Sequence, residues 1–282
     1  MKSILLPTDF SVISKNAIHY ALALFRDDDC IFYFMNSFDI GMTSPTAGVS
    51  SKSFQEAVYK SNKMQSETDL ATLLSEIDNQ YDNPKHQFKT LSLYMGFELA
   101  VKKSITNLQI DYVVMGAKGA TGLKEVAIGS NTAGIIGKIT CPLLVIPENA
   151  LFLSLSELVL ATDYEITYSL KGIQPFLEFV HPKAQISVLY VNETGSELNA
   201  SKTQAKHELQ TLLSKYKNEH YMLTQISMDQ GARIFAESRN VDMFCVIAKK
   251  HNFLHRFFGK SYSKMLTRHT RIPLLILNYE MF

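Results

Sequence analysis

The stretch Asp111-Tyr-Val-Val-Met-Gly-Ala-Lys-Gly119 joins a short apolar run to a glycine loop, and nine residues separate Gly119 from Gly129-Ser130. A second apolar run, Pro142-Leu-Leu-Val-Ile146, follows. Apolar runs of this length are typical of buried parallel strands. Bare glycines let the backbone approach a ligand, and the N–H groups that open a helix bind phosphate. The stretch therefore predicts a phosphate-binding turn on a parallel sheet, with Ser130 opening a helix.

The same pattern occurs a second time in the chain, without its glycines. Three pairs of segments match in the same order: Ile4–Asp9 with Leu158–Asp163, Asp111–Lys118 with Asp242–Lys249, and Ile139–Ile146 with Thr270–Leu277. Matches of this kind indicate an internal repeat. We expect the join near Glu148 to Ser154, which gives predicted domains at 1–150 and 151–282.

Apolar runs alternate with amphipathic segments through both halves. Such alternation predicts an α/β fold, here two tandem open doubly wound domains, each a mainly parallel five-stranded sheet of order 3-2-1-4-5 with helices on both faces. Ser11 is the predicted cap of the first helix, which runs to about Phe25, and a long polar helix is predicted from about Ser51 to Tyr81. The predicted strands are Ser3–Leu6, Cys30–Met35, Gln87–Tyr94, Asp111–Met115 and Pro142–Ile146, then Glu157–Ala161, Gln185–Val191, Leu223–Met228, Met243–Ile247 and Pro273–Leu277.

Composition narrows the classes of function. A net charge of +1 over 282 residues gives no general attraction to nucleic acid or to anionic membranes. No run approaches the roughly 18 apolar residues of a membrane helix, and the first residues do not form a signal peptide, so we expect a cytoplasmic protein. Cys30, Cys141 and Cys245 are far apart and lie in or beside apolar runs, which predicts buried reduced thiols.

Ligands of open parallel sheets bind outside the carboxyl ends of the strands, where strand order reverses. For the order 3-2-1-4-5 this point lies between the first and fourth strands, so Asp9 and Gly116 would face one crevice.

Other nucleotide-binding motifs are absent from the sequence. The turn after the first predicted strand lacks the Gly-x-Gly-x-x-Gly of dinucleotide folds. Gly137-Lys138 lacks both the following Ser or Thr and the leading glycine of a P-loop. The alternative to a phosphate-binding role is that the glycines between Gly116 and Gly129 only allow close packing of helix and sheet.

These residues resemble the universal stress protein family. Its nucleotide-binding members carry Gly-x2-Gly-x9-Gly followed by Ser or Thr, and the segment from Gly116 to Ser130 fits that pattern without a gap. The opening Leu5-Leu-Pro-Thr-Asp-Phe-Ser11 is also similar to the family's first strand and turn. Because the resemblance covers both halves, the chain is similar to tandem members of the family.

The resemblance implies an adenine nucleotide, ATP, ADP or AMP, with or without Mg²⁺, and it implies the residues that would touch it. The base and ribose would meet Pro7, Thr8, Asp9 and Ser37, although a small apolar residue is commoner than serine at the last position. The ribose and α-phosphate would lie along Met115 and Gly116. The phosphates would be held by Gly119, Gly129, Ser130, Asn131 and Thr132.

The second copy departs from the glycine pattern. At constant spacing Gly116 becomes Ile247, Gly119 becomes Lys250 and Gly129 becomes Lys260. Side chains there would fill the space that phosphates need, and a positive φ at these positions would be costly for them. We therefore expect one nucleotide per chain, bound in the first copy, with the second copy as scaffold.

The replacement loop is basic and aromatic, from Lys249 to Lys260. Positive charge among aromatic rings suits an anion, a nucleic acid or a protein partner, but a degenerate site filled by its own Phe residues is the favoured interpretation. His251 and His255 lack a nearby carboxylate or cysteine, so no metal site is expected.

The expected function is binding rather than turnover, because the glycine loop supplies neither a base nor metal-binding carboxylates. Nucleotide occupancy would bias conformation or association in a stress response. The strands after Pro142 and Pro273 would form an internal two-fold-like contact, and the whole chain would be able to dimerise. Two alternatives stay open: an interaction module that uses residues 249–260 without nucleotide, and a slow ATP-hydrolysing or adenylating enzyme of a related fold.

Overall fold

The computed structural model describes residues 1–39, 52–117, 129–248 and 272–282. These residues form two compact units, Met1–Met115 and Gly116–Phe282, and each unit is described by itself. The predicted domain boundary near residue 150 stays a prediction. Gly119 and the basic aromatic loop 249–260 lie outside the described residues.

The described residues of the first unit form four strands and three helices in strict alternation. The strands are β1 (Lys2–Pro7), β2 (Cys30–Phe38), β3 (His86–Tyr94) and β4 (Tyr112–Gly116), the last of which ends one residue beyond the unit; the helices are α1 (Val12–Leu24), α2 (Lys52–Gln80) and α3 (Phe97–Leu108). The strands pair in parallel in the order β3-β2-β1-β4. Ser11 caps α1 as predicted, since its side chain accepts the N–H of Ser14.

The second unit begins with α4 (Ser130–Ile135) and β5 (Leu143–Ile146) and continues through the whole second half of the repeat. Its other strands are β6 (Glu157–Thr162), β7 (Gln185–Asn192), β8 (Asn218–Thr224), β9 (Met243–Ala248) and β10 (Leu274–Asn278). Its other helices are α5 (Leu170–Leu177), α6 (Ala200–Leu213) and α7 (Met228–Ser238). A 3-10 turn spans Tyr279–Met281.

Strand order in the second unit confirms the predicted topology. The strands of the second copy pair in parallel as β8-β7-β6-β9-β10, which is the order 3-2-1-4-5. β5 pairs with β10 in antiparallel register, with Leu275 opposite Leu144. The strands that follow Pro142 and Pro273 therefore meet, as the sequence predicts for an internal two-fold-like contact.

The core is formed by the apolar runs that predict the strands. All six residues of β9 and all five of β10 are buried, since a central parallel strand is covered on both faces. Cys30, Cys141 and Cys245 are free and buried, as expected. Burial raises the pKa of the Cys30 thiol to about 12 and that of Cys245 well above its usual range, so both stay protonated at neutral pH.

One predicted strand is wrong. The segment Leu223–Met228 is predicted as a strand, but β8 spans Asn218–Thr224 and Met228 begins α7. No residue of β8 is fully buried, and its first three residues are polar, so it lacks an apolar run. Pairing with β7 from Ile186 to Asn192 sets its position. Glu193 accepts the backbone N–H of Met228 at 3.0 Å and so supports the start of the helix.

No helix among the described ranges is long and apolar enough to cross a membrane.

Candidate functional site

The turn that follows β1 is held by its own side chains. Phe10 has a φ of 62°, which is unusual for a residue with a side chain. Its backbone N–H donates to Oγ1 of Thr8 at 2.9 Å, and the N–H of Ser11 donates to Oδ1 of Asp9 at 3.1 Å. Thr8 is buried and its hydroxyl also pairs with that of Ser14 at 3.1 Å. Thr8 and Asp9 are therefore turn-forming residues whether or not a ligand is bound.

The second copy builds the same turn. Tyr164 has a φ of 53°, its N–H donates to Oγ1 of Thr162 at 2.9 Å, and Glu165 donates to Oδ1 of Asp163 at 2.9 Å. The Thr-Asp pair that repeats in the sequence is thus explained by local structure. Sequence reasoning missed the aromatic residue at positive φ, although Phe10 and Tyr164 occupy matching positions and carry the signal.

The carboxyl group of Asp9 has a pKa below its ordinary value. Burial alone would raise the pKa, but hydrogen bonds from Ser11 and Ser14 stabilise the carboxylate and outweigh burial. The side chain is nonetheless largely exposed and stays ionised at neutral pH. It can accept hydrogen bonds from a ligand, and it repels a phosphate group.

Asp9 should make the stability of the fold depend on acid pH. Because its folded pKa lies below the unfolded value of 3.8, its contribution is present above about pH 4 and is lost as the pH falls further. We expect the midpoint of urea unfolding to fall more steeply between about pH 5 and pH 2 in the wild type than in Asp9→Asn. Parallel curves for the two proteins would contradict this role of the carboxylate.

The first unit brings five predicted residues to one edge of its sheet. The N–H of Thr8 donates to the carbonyl of Met35 at 2.8 Å, and Ser37 lies two residues further along β2. On the other side of β1, Leu5 pairs with Val113, so Pro7 and Met115 follow two residues later on neighbouring strands. Pro7, Thr8, Asp9, Ser37 and Met115 therefore all lie at the carboxyl ends of parallel strands, where open sheets bind ligands.

Asn36 is a residue of this edge that sequence reasoning missed. Its side-chain amide donates to the carbonyl of Thr8 at 2.9 Å and so ties β2 to the turn after β1. Asn36 is polar and close to the end of an apolar run, which is the available signal. By holding Thr8 it fixes the backbone on which Asp9 is carried.

The second unit places the other described site residues around the start of α4. Gly129 is the N-cap residue, and Ser130 and Asn131 are exposed in the first turn. Thr132 is 1% exposed, and its hydroxyl donates to the carbonyl of Gly116 at 3.2 Å, so this side chain joins the helix to the end of β4. Its side chain is therefore a support for the first turn, and its backbone N–H is the group available to a ligand.

The reason for glycine at two of these positions differs from the expectation. Gly129 has a φ of −54° and Gly116 belongs to β4, and among the described glycines only Gly137 and Gly195 have positive φ. The predicted cost of positive φ therefore does not apply to Gly116 or Gly129. What Gly129 provides is a helix start without a side chain over it, which leaves the first N–H groups of α4 accessible. The helix is six residues long, so these local N–H groups matter more than a macrodipole.

In the second copy, aromatic side chains fill the turn that follows β6, the counterpart of the turn after β1. The helix cap Ser169 lies six residues after Asp163, whereas Ser11 lies two residues after Asp9. The additional residues include Tyr168, whose buried hydroxyl bonds to Thr162 in place of the Ser14 hydroxyl of the first copy. Beside it, Tyr164 packs against Tyr190 with ring centroids 5.1 Å apart.

A small cleft of about 170 Å³ remains at the ends of β6 and β7. Lys202 lies in its wall and pairs with Glu165 at 3.0 Å, and Asp163 and Glu193 add two further carboxylates. Three carboxylates against one paired lysine disfavour a phosphate group in this cleft. The expectation that the second copy does not bind nucleotide phosphates stays a prediction, because Lys250 and Lys260 lie outside the described residues.

Comparison with known proteins connects this geometry to one family. The model of the universal stress protein family matches residues 1–147. The universal stress protein MJ0531 of Methanocaldococcus jannaschii is 27% identical over 159 residues, which cover 52% of this chain and 82% of the relative.

Two solved structures share the fold over nearly the whole chain. A universal stress protein from Archaeoglobus fulgidus aligns with a TM-score of 0.67 and 15% identity over 98% of this chain and 96% of its own. A putative universal stress protein from Pseudomonas aeruginosa aligns with a TM-score of 0.58 and 10% identity over 100% of this chain and 95% of its own. At such identities the likeness is one of fold, and the family assignment comes from the matched sequence. The chain belongs to the universal stress protein family.

Proposed function

We propose that this protein binds one adenine nucleotide, ATP, ADP or AMP, in its first copy and acts as a regulatory binding protein. The observation that carries the proposal is the open start of α4, where Gly129 has no side chain and Thr132 fixes the first turn against Gly116. Family membership and the glycine spacing from Gly116 to Ser130 support the same ligand.

In this proposal, backbone N–H groups of Ser130, Asn131 and Thr132 donate to phosphate oxygens. The first N–H groups of a helix have no partner within it, and each hydrogen bond to a charged group contributes about 1.5–3 kcal/mol. Asp9 accepts hydrogen bonds from ribose hydroxyls or the base amine, because its ionised carboxylate is an acceptor only. Mg²⁺, if it accompanies the nucleotide, is held by the phosphates rather than by carboxylates of the loop.

Binding without turnover is part of the proposal. Among the described residues near the strand ends of the first copy, Asp9 is the acid best placed for a ligand, and its Oδ1 already accepts two hydrogen bonds from Ser11. A carboxylate used in this way is a poor general base. We further propose domains at 1–150 and 151–282, a cytoplasmic protein, and a scaffold role for the second copy.

The proposal is tested by two measurements on the purified full chain. Denaturation should release an adenine nucleotide that chromatography identifies, and calorimetric titration of the stripped protein should show one ATP, ADP or AMP per chain. If no nucleotide is released and no heat is measured with any of the three, the protein is an interaction module instead. Release of ADP from added ATP at a steady rate would contradict the absence of turnover.

A further inference from the structure

The end of β10 and the residues after it connect the two copies within the second unit. We call this segment, Asn278–Phe282, the strap. Asn278 is buried, and its side-chain amide donates to the carbonyl of Ile139 at 2.6 Å. Its Oδ1 accepts the N–H of Glu280 at 2.8 Å. One side chain thus holds both a residue of the first copy and the 3-10 turn of the strap.

Ile139 lies just after the helix that carries the candidate phosphate site. Three residues separate it from the end of α4. The path between them is a tight turn in which Gly137 has a φ of 70° and the N–H of Lys138 donates to the carbonyl of Ile135 at 3.0 Å. Ile139 is 3% exposed, so its carbonyl moves with the surrounding backbone. A displacement of α4 would therefore change the bond to Asn278.

The other end of the strap is seated on the second copy. The ring of Phe282 lies so close to α5 that a Cβ on Gly172 would come within 2.4 Å of it. Tyr168 meets the same ring edge-on, with centroids 6.2 Å apart, and its hydroxyl bonds to Thr162. Thr162 in turn holds the strained turn at Tyr164. The absence of a side chain at Gly172 is what makes room for Phe282.

The side-chain bonds of Asn278 have no equivalent at the matching position after β5. At constant spacing Asn278 corresponds to Pro147, which has no side-chain donor. The connection therefore joins the end of α4 in the first copy to the turn after β6 in the second. An asymmetric link of this kind is not needed to complete the sheet, because β9 and β10 already pair along their length.

We propose that the strap couples nucleotide occupancy at α4 to the turn after β6 in the second copy. This inference rests on the proposed nucleotide site. Binding at the first turn of α4 fixes the position of Ile139, which favours the bond to Asn278 and the seating of Phe282. The second copy thereby reports occupancy of the first through the region around Tyr168 and Gly172. Coupling of this kind is reciprocal, so loss of the strap weakens nucleotide binding by the same factor.

The test uses the full chain, ATP and amide hydrogen exchange. In the wild type, saturating ATP should slow exchange at Gly172 and Phe282 about fivefold or more, the lower range of measured coupling between sites. Asn278→Ala should remove this protection and weaken ATP affinity by a similar factor. Phe282→Ala, a change near the surface that leaves the core intact, should do the same. The matched control is Asn199→Ala, which also removes an asparagine that accepts a backbone N–H, here that of Lys202 at 2.9 Å.

The outcomes separate this inference from the proposed function. If the wild type binds ATP but exchange at Gly172 and Phe282 is unchanged, the coupling is refuted and the nucleotide site stands. If Asn278→Ala and Phe282→Ala lower the melting temperature while ATP affinity equals that of Asn199→Ala, the strap is a structural contact only. If the wild type binds no adenine nucleotide, both proposals fail together.

Discussion

Gly129→Lys should abolish nucleotide binding while the protein stays folded. The substitution gives the first copy the residue that the second copy carries as Lys260. A lysine side chain at the helix start covers the N–H groups of Ser130 and Asn131, and the loss of two charge-assisted hydrogen bonds corresponds to roughly 100-fold or more in affinity. The fold should tolerate the change, because the φ of −54° at Gly129 suits any residue. Calorimetric titration with ATP measures the loss, and thermal melting measures the fold.

The same helix offers a control for this variant. Gly134 also belongs to α4, and a Cβ added there meets no atom of the described residues within 4 Å. Gly134→Lys places the same charge on the same helix away from its start, so it should retain ATP affinity within about threefold, since a distant surface charge contributes little. Equal loss in both variants would show that charge on α4, rather than access to its first turn, decides binding.

Leu275→Asp should unfold the second unit. Leu275 is fully buried in β10 and pairs with Leu144 of β5 and Cys245 of β9. The substitution removes about 2–3 kcal/mol of apolar burial and adds the cost of an unpaired buried carboxylate, for a total of roughly 5 kcal/mol or more. Because natural domains have only about 5–15 kcal/mol of stability, we expect loss of a cooperative melting transition by circular dichroism.

A leucine outside the core provides the comparison. Leu153 is 82% exposed in the segment between β5 and β6, and Leu153→Asp should leave the melting temperature within a few degrees of the wild type. If Leu275→Asp melted like Leu153→Asp, the antiparallel pairing of β5 with β10 would not be part of the folded protein. Partial loss confined to the second copy would place the boundary of cooperative unfolding between the copies.

The sequence predicts most of the fold because its strands are buried on both faces. Runs such as Tyr112–Met115 and Met243–Ile247 are apolar without interruption, and their repetition in the same order predicts the strand order that the second copy shows. β8 was misplaced because its sequence begins with three polar residues, Asn218-Glu-His220, and its position is set by pairing with β7. Local composition carries little information about such a strand.

The sequence predicts the candidate site less completely than the fold, because some of its side chains contact backbone groups far along the chain. The spacing of Gly116, Gly129 and Ser130 identifies a helix start that can meet phosphate, and this part depends on the chain alone. The roles of Asn36 and Thr132 depend on which backbone groups their side chains reach. Asn36 donates to the carbonyl of Thr8, 28 residues away along the chain, and Thr132 donates to that of Gly116, 16 residues away. Contacts between residues so far apart along the chain leave no pattern in the local sequence.

What the sequence alone determined is the repeated α/β unit and the asymmetry between a glycine-rich and a glycine-free turn, because burial and backbone access depend on residue type. What only the tertiary structure decided is how that asymmetry is built. The second copy fills its first turn with Tyr168, seats Phe282 on Gly172, and joins the first copy through Asn278. The contacts of Phe282 and Asn278 link residues far apart in the chain, so they exist only in the folded protein, whereas Tyr168 reaches Thr162 six residues away within the turn after β6.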